Sequence, residues 1–449
     1  MAVVDLQSAR VNVRPSSPRS HRYRQSLHPY LQPIGLFLLA LVLLFLKSPD
    51  AILAPQFWAE DGPVFFAAQF GHDWPQLLTP YAGYLHTVTR LVAWLASGFD
   101  LAHAPLIYNV LALLIDAVCI AYVSLRLAPW FPRWALFLSF FIVPSSGDIF
   151  GTATNVQWFM QFALAAACFA PAAARHAIPR ALRIVGYLAL ALAALSGPFS
   201  VLVMGLAIGA MLLGRLEAAP GGHPRAFGLS NFLRAIGTVS SRLPKTNLLV
   251  AFACACVQVA VLMTNKVHTP AGDFMMNAEL QASFGVAKLG SFYLWTVTHS
   301  FLPPQLGFLA AMIAITTACL VQTLLRPAAW NGMGCLLLAL GIVQPVLAYV
   351  KEQNLFTLTA TSHYFYLLSV VCCWIAWNMV SERLPAWRKP AFAVIAALVV
   401  FSMATRPEYF QREALHDMQW HKHAGRIRST PSVIVPINPA PWYIQVSAR

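Results

Sequence analysis

The chain has 449 residues, 58% of them hydrophobic and 10% charged, with a net charge of +14. A mean hydropathy of +0.63 with so few charges excludes an ordinary soluble domain, in which about 25% of residues are charged. The basic excess does not point to nucleic acid, because in a membrane chain arginine and lysine mark cytoplasmic loops and meet anionic lipid headgroups.

Residues 1–30 are polar and carry Arg10, Arg14, Arg19, Arg22 and Arg24. They read as a disordered basic cytoplasmic tail, and the apolar run that follows has no small-residue cleavage site, so no removable signal peptide is expected. Apolar runs then occupy 32–49, 104–125, 134–146, 156–173, 182–197, 199–214, 248–264, 306–325, 331–349, 363–380 and 390–404. The expected fold is all-α, a polytopic helical membrane protein with about eleven transmembrane helices within 31–404. Starting inside, this count puts Arg126 and Arg133, Arg175 to Arg183, Arg215 to Lys245, Arg326, and Arg383 to Lys389 on the cytoplasmic side, as the positive-inside rule requires.

The stretches 50–103, 146–155, 265–305 and 350–362 and the segment 405–449 then face outward. Within the first, 85–96 reads as a juxtamembrane helix in the interface, with His86 and Arg90 four residues apart on its polar side and Leu91, Trp94 and Leu95 toward lipid. The stretch 284–303 reads either as a second such helix or as a further span. The basic stretch 215–247 is a cytoplasmic loop between a six-span half and the remaining helices, and no repeat relates the halves as in many transporters. In 405–449, Pro431, Pro436, Pro439 and Pro441 favour an extended path. Val433, Ile434, Val435 and Ile437 are expected to pack over the outer loops, with Trp442 and Tyr443 as anchors.

The eight cysteines form no CxxC pair, and Cys254, Cys256, Cys372 and Cys373 sit inside apolar runs as small packing residues. Chemistry-bearing residues gather instead at the outer ends: Glu60, Asp61, Tyr84, His86 and Arg90; Asp148, Asn155 and Gln157; Lys266 and His268; Lys351 and His363. Taken singly, most loop charges of this kind are solvated surface residues. The adjacent pair Glu60-Asp61 stands out in a chain with 16 acidic residues, flanked by Phe57, Trp58, Phe65 and Phe66 and followed by Gly62-Pro63. Two such carboxylates can bind a divalent cation, take a proton from a hydroxyl, or lock a loop. The surrounding cations suit an anionic phosphate.

A first apolar run, a long outer loop with an acidic motif and two juxtamembrane pieces, and a polytopic body together resemble the GT-C superfamily of membrane glycosyltransferases. The segments Trp58-Ala59-Glu60-Asp61-Gly62, Gly83-Tyr84-Leu85-His86, Thr154-Asn155-Val156-Gln157-Trp158 and Pro439-Ala440-Pro441-Trp442-Tyr443 look like a bacterial branch of that group. The resemblance implies an inverting transferase in the bacterial inner membrane with its active site facing the periplasm. It would move a sugar from a polyprenyl-phosphate carrier to a glycan or lipid-linked acceptor, such as O-antigen or another envelope polysaccharide. Asp61 would be the base, assisted by Glu60; Arg90, Lys266, His268, Lys351 and His363 would hold the donor phosphate; His86, Asp148, Asn155, Gln157 and Tyr84 would orient the acceptor. A Mg²⁺ or Mn²⁺ ion on Asp61, Glu60 and Asp148 is an option within this reading. The partners are the carrier, the acceptor and membrane lipids, with no nucleic acid. The alternative is a transporter or flippase of an anionic lipid or envelope precursor, pointed to by Asp116 within a span. A noncatalytic assembly scaffold is the third reading.

Overall fold

The computed structural model of the protein describes residues 31–143, 148–171, 179–218, 227–265, 329–351, 363–383, 411–430 and 432–447, with single positions and short pieces between 318 and 404. Lys266, His268, the stretch 284–303 and most of the runs 306–325 and 390–404 lie outside the described residues.

Helix α1 (Leu31–Lys47) follows from its apolar sequence and its spacing. Leu36, Ala40, Leu44 and Lys47 are buried, one turn apart, and pack on α5 (Ala104–Arg126), while Ile34, Leu38, Val42 and Leu46 remain exposed on the other side. A helix apolar on both faces suits a boundary between protein and lipid. A short turn α2 (Asp50–Leu53) follows, then α3 (Ala67–Gln69) and α4 (Thr87–Ser97) before α5. Helix α7 (Val156–Phe169) is buried over nearly its whole surface and touches α5, α8 (Arg180–Ala194) and α9 (Phe199–Ala218). It is the central post of the bundle. Around it, α6 (Arg133–Ile142), α10 (Phe227–Ser240), α11 (Lys245–Thr264), α12 (Ala329–Lys351) and α13 (His363–Arg383) complete the packing. Glycines set the closest crossings: a Cβ on Gly332 of α12 would stand 2.5 Å from the Ala235 carbonyl oxygen of α10, so only a residue without a side chain permits this approach.

The expected count of about eleven spans is corrected here. Among the described residues, three helices are long and apolar enough to cross a membrane: Leu101–Arg126, Phe199–Leu216 and Lys245–Thr264. The described apolar runs are helical, but Arg133–Ile142 and Val156–Phe169 are 10 and 14 residues long. At about 1.5 Å per residue such helices reach well short of the roughly 30 Å of hydrocarbon. Among the described residues α1 covers 17 residues, and α12 and α13 contribute shorter apolar stretches, Asn331–Gln344 and Tyr366–Glu382. The basic stretch 215–247 holds a helix, α10, that packs on α9 and α12.

The all-α expectation is also corrected. Residues 411–447 contain a helix (Trp420–Ser429) and an antiparallel pair, β1 (Ser432–Pro436) and β2 (Tyr443–Ser447). Val433 faces Val446 and Val435 faces Ile444 across the pair. Burial alternates along β1, so Val433 and Val435 enter a core while Ile434 is exposed. With Ile437, Ile444 and Trp420 they form a second core, with Phe57, Phe65, Phe66 and Tyr108 from the front of the chain. The pattern of apolar residues every second position is what a half-buried strand requires. Pro436 sits at the end of β1 and Pro439 and Pro441 in the connecting turn, where no ladder donor is lost.

Candidate functional site

The acidic turn is clamped from two sides. Its backbone bends at Ala59, whose φ is +40°, and the Ala59 N–H donates to the Asn438 carbonyl at 2.5 Å while Asn438 N–H returns to Phe57 at 3.3 Å. On the other side the Asp61 carboxylate accepts from Ala153 N–H at 3.1 Å and from Thr154 N–H at 2.7 Å. Asp61 is fully buried. Burial pushes its carboxyl up to about 8, partly countered by those two backbone donors and reinforced by the neighbouring Glu60; Arg412 lowers it slightly. Gly62 follows, and a Cβ there would lie 2.6 Å from Ile444 Cγ1, so the hairpin closes directly on this turn.

Glu60 is the more accessible member of the pair, half-buried, with Tyr81 Oη donating to its carboxylate at 3.3 Å. Tyr81 and Tyr84 form an aromatic cup with His86: ring centres are 5.6 Å apart for Tyr81–His86 and 4.7 Å for Tyr84–His86. Burial, and then the charge of Glu60, raises the Tyr81 hydroxyl above its ordinary range, so it stays a donor. Burial also raises Tyr84, with Tyr364 the next contributor, which puts Tyr364 within electrostatic reach of both tyrosines.

The cup rests on long-range stitches. Ser196 Oγ accepts from Val88 N–H at 2.9 Å at the start of α4, and Gln258 of α11 accepts from Leu85 N–H at 2.9 Å while donating to Gly197 at 3.0 Å. His86 is thereby buried beside Phe65 rather than turned to the surface. Arg90, expected at a donor phosphate, is buried as well: it donates to the Val64 carbonyl at 2.8 Å and lies 4.9 Å from the Phe65 ring centre. Its position makes it a brace under the acidic turn. The polar side of α4 therefore faces protein, while Trp94 and Leu95 are exposed as expected.

The turn 148–155 supplies the opposite wall. Asn155 donates to the Asp148 carbonyl at 2.8 Å and to Thr152 Oγ1 at 2.9 Å, and accepts from Trp158 Nε1 at 2.9 Å. Asn155 thus shapes the turn whose N–H groups hold Asp61. The Asp148 carboxylate lies 3.1 Å from His363 Nδ1, and the His363 ring stacks on Trp158 at 4.7 Å and Tyr364 at 4.4 Å. Gln157 is buried; its amide donates to the Thr154 carbonyl at 3.3 Å, and its Oε1 has no hydrogen-bond partner. Glu60, Asp61, Tyr84, His86, Asp148, Asn155, Gln157 and His363 are brought to one end of the bundle. Lys351 ends α12, and Lys266 and His268 lie outside the described residues.

The groups that hold this arrangement come from distant parts of the chain. The Asp61 partners are main-chain N–H groups, which leave no mark in a sequence. Gln258 did leave one, as an amide in an otherwise apolar run. Tyr108 lies within electrostatic reach of Asp61 and Arg90, with its hydroxyl buried and lacking a hydrogen-bond partner. Among the described residues no group of three or more His, Cys, Asp or Glu side chains is arranged to hold a metal ion. Asp61 is engaged by two N–H donors, Glu60 by Tyr81 and Asp148 by His363.

No protein-family model and no curated protein matches the chain. It is similar in structure to the Archaeoglobus fulgidus oligosaccharyltransferase in its apo form, with TM-score 0.47, 13% identity, and coverage of 89% of this chain and 58% of that one. The same enzyme tethered to an acceptor peptide containing the NVT sequon gives TM-score 0.47 and 14% identity over 91% and 57% of the two chains. Its complex with Zn and sulfate gives 0.45 and 15% over 88% and 55%. The chain therefore spans less than three fifths of the length of the structures it matches.

Proposed function

We propose that the protein is a membrane glycosyltransferase that moves a sugar from a polyprenyl-phosphate carrier to a glycan or lipid-linked acceptor at the periplasmic face of a bacterial inner membrane. The observation that carries this reading is Glu60, a half-buried carboxylate held by Tyr81 at 3.3 Å on the wall of an aromatic cup. Aromatic faces suit the apolar face of a sugar ring, and a fixed carboxylate suits removal of a hydroxyl proton. In the proposed step the acceptor oxygen bonds to the anomeric carbon, the bond from that carbon to the phosphate oxygen breaks, and its electron pair leaves on the phosphate. The acceptor proton passes to the carboxylate.

The two acids divide the work. The resemblance gives the base to Asp61, but its full burial and two backbone bonds favour an anchoring role, with Glu60 as the base. His363, beside Asp148 and stacked on Trp158, is the described group best suited to the leaving phosphate. The test is purified protein in nanodiscs, supplied with polyprenyl-phosphate mannose, glucose, arabinose and N-acetylglucosamine and with envelope glycan. One donor is expected to be consumed with release of polyprenyl phosphate, and Glu60→Gln should lower the rate by about 10²-fold or more. Consumption of none of these donors would overturn the class; full activity of Glu60→Gln would overturn the base.

One observation favours transport as a second reading. Asp116 lies within the membrane-length helix Leu101–Arg126, and both its carboxylate oxygens are buried without a hydrogen-bond partner. Movement of a labelled polyprenyl phosphate across proteoliposomes without covalent change would select that reading.

A further inference from the structure

At the end of the bundle where α1 begins and α5 passes into α6, a groove of about 420 Å³ is lined by Gln32, Gly35, Leu36, Leu39, Arg133 and Trp134 among others. It belongs to neither the acidic turn nor the aromatic cup. The space beside Gly35 is open: a Cβ built there would meet no atom within 4 Å. Two of its apolar lining residues, Leu39 and Trp134, are exposed, Trp134 to 60%. Leu39 belongs to α1 and Trp134 to the first turn of α6, and in a bilayer these exposed apolar side chains would meet acyl chains.

Its inner wall has the opposite character. Arg133 Nε is buried and has no hydrogen-bond partner. Arg133 is also the first residue of α6, and the residue before that helix, Pro132, provides no side-chain cap. The free N–H groups at such a helix start favour an anion. An unsatisfied guanidinium nitrogen and an uncapped helix start thus meet at the head of an apolar channel. A molecule that complements both has an anionic head and a hydrocarbon tail.

We propose that this groove binds one anionic phospholipid, its phosphate on Arg133 and the α6 amino end and its acyl chain along Leu36, Leu39 and Trp134. Basic pockets between membrane helices near a bilayer surface select anionic headgroups in this way.

The test uses the full chain, purified in a neutral detergent and titrated with dioleoyl-phosphatidylglycerol, dioleoyl-phosphatidylcholine or inorganic phosphate. Thermal unfolding and native mass spectrometry are the readouts. Phosphatidylglycerol should raise the melting temperature by several degrees and survive as a bound adduct, phosphatidylcholine should do so more weakly, and phosphate alone should do neither. Arg133→Gln should abolish the preference for phosphatidylglycerol over phosphatidylcholine, and Arg133→Lys should keep it. Gly35→Leu, which places a side chain in open space, should remove binding of both lipids. Equal responses to the two lipids in the wild type, or a preference that survives Arg133→Gln, would overturn the headgroup assignment. Binding unchanged in Gly35→Leu would overturn the location, and stabilisation by phosphate alone would make the site one for a free anion.

Discussion

Asp61 shows two opposing effects on one side chain. Burial favours its neutral form, and two backbone N–H donors favour its ionised form; burial prevails, raising the carboxyl from 3.8 to about 8. The folded protein therefore keeps a proton that the unfolded chain has already lost over that interval. By linkage the contribution of Asp61 to stability is complete below about pH 4 and is lost as pH rises through about 8. Asp61→Asn cannot ionise. The melting temperature of the wild type minus that of Asp61→Asn should fall steadily between pH 5 and pH 8.5. A difference that is flat across this range would show that Asp61 is already charged at the lower end.

At the scale of elements, the hairpin β1–β2 and the acidic turn form one unit. Gly62 lies against Ile444 and Ile437, and a Cβ there would come within 2.6 Å and 2.7 Å of them. Its φ of −78° is ordinary, so the demand is for space and not for backbone freedom. Gly62→Ala should cost about 1–3 kcal/mol through overpacking and loosen the turn that carries Glu60. Ile444→Ala in the same chain should recover part of the loss, whereas a double variant that melts lower than the sum of the two singles would count against this contact as the cause. The hairpin thereby closes the acidic end of the bundle, joining strands near the end of the chain to a turn near its start.

At the scale of the whole molecule, among the described residues a buried ion pair, Arg412–Asp50, joins two distant parts of the chain. Arg412 Nη2 lies 2.6 Å and Nε 3.2 Å from the Asp50 carboxylate, and Nη1 donates to the Phe150 carbonyl at 2.8 Å. One guanidinium thus ties residues 411–447 to the start of α2 and to the 148–155 region that holds Asp61. Arg412→Met leaves Asp50 buried and uncompensated, which costs about 3–5 kcal/mol. Thermal melts in detergent should show that loss, and adding Asp50→Asn should restore part of it. A single variant that melts with the wild type would remove the pair from the account of stability.

Local sequence marked where many of the described helices form, though not α10 within the basic stretch 215–247. The run 104–125 became Ala104–Arg126 and the run 363–380 became His363–Arg383, because apolar composition and i, i+4 spacing act within one or two turns of chain. It also marked Glu60-Asp61 as unusual, through the scarcity of acids and the aromatic flanks. Hydropathy did not determine how much of each run is helix. The chain leaves helical geometry after Ile142 and Phe169, and the resulting pieces are too short for the span count that apolar length suggested. Nor could local pattern assign the two carboxylates. Their roles depend on N–H groups 92 and 93 residues away and on a hairpin from the far end of the chain. Such pairings are selected by packing among distant segments: burial strengthens each hydrogen bond and makes each unpaired group costly, and only the folded bundle decides which acid is buried and which remains within reach.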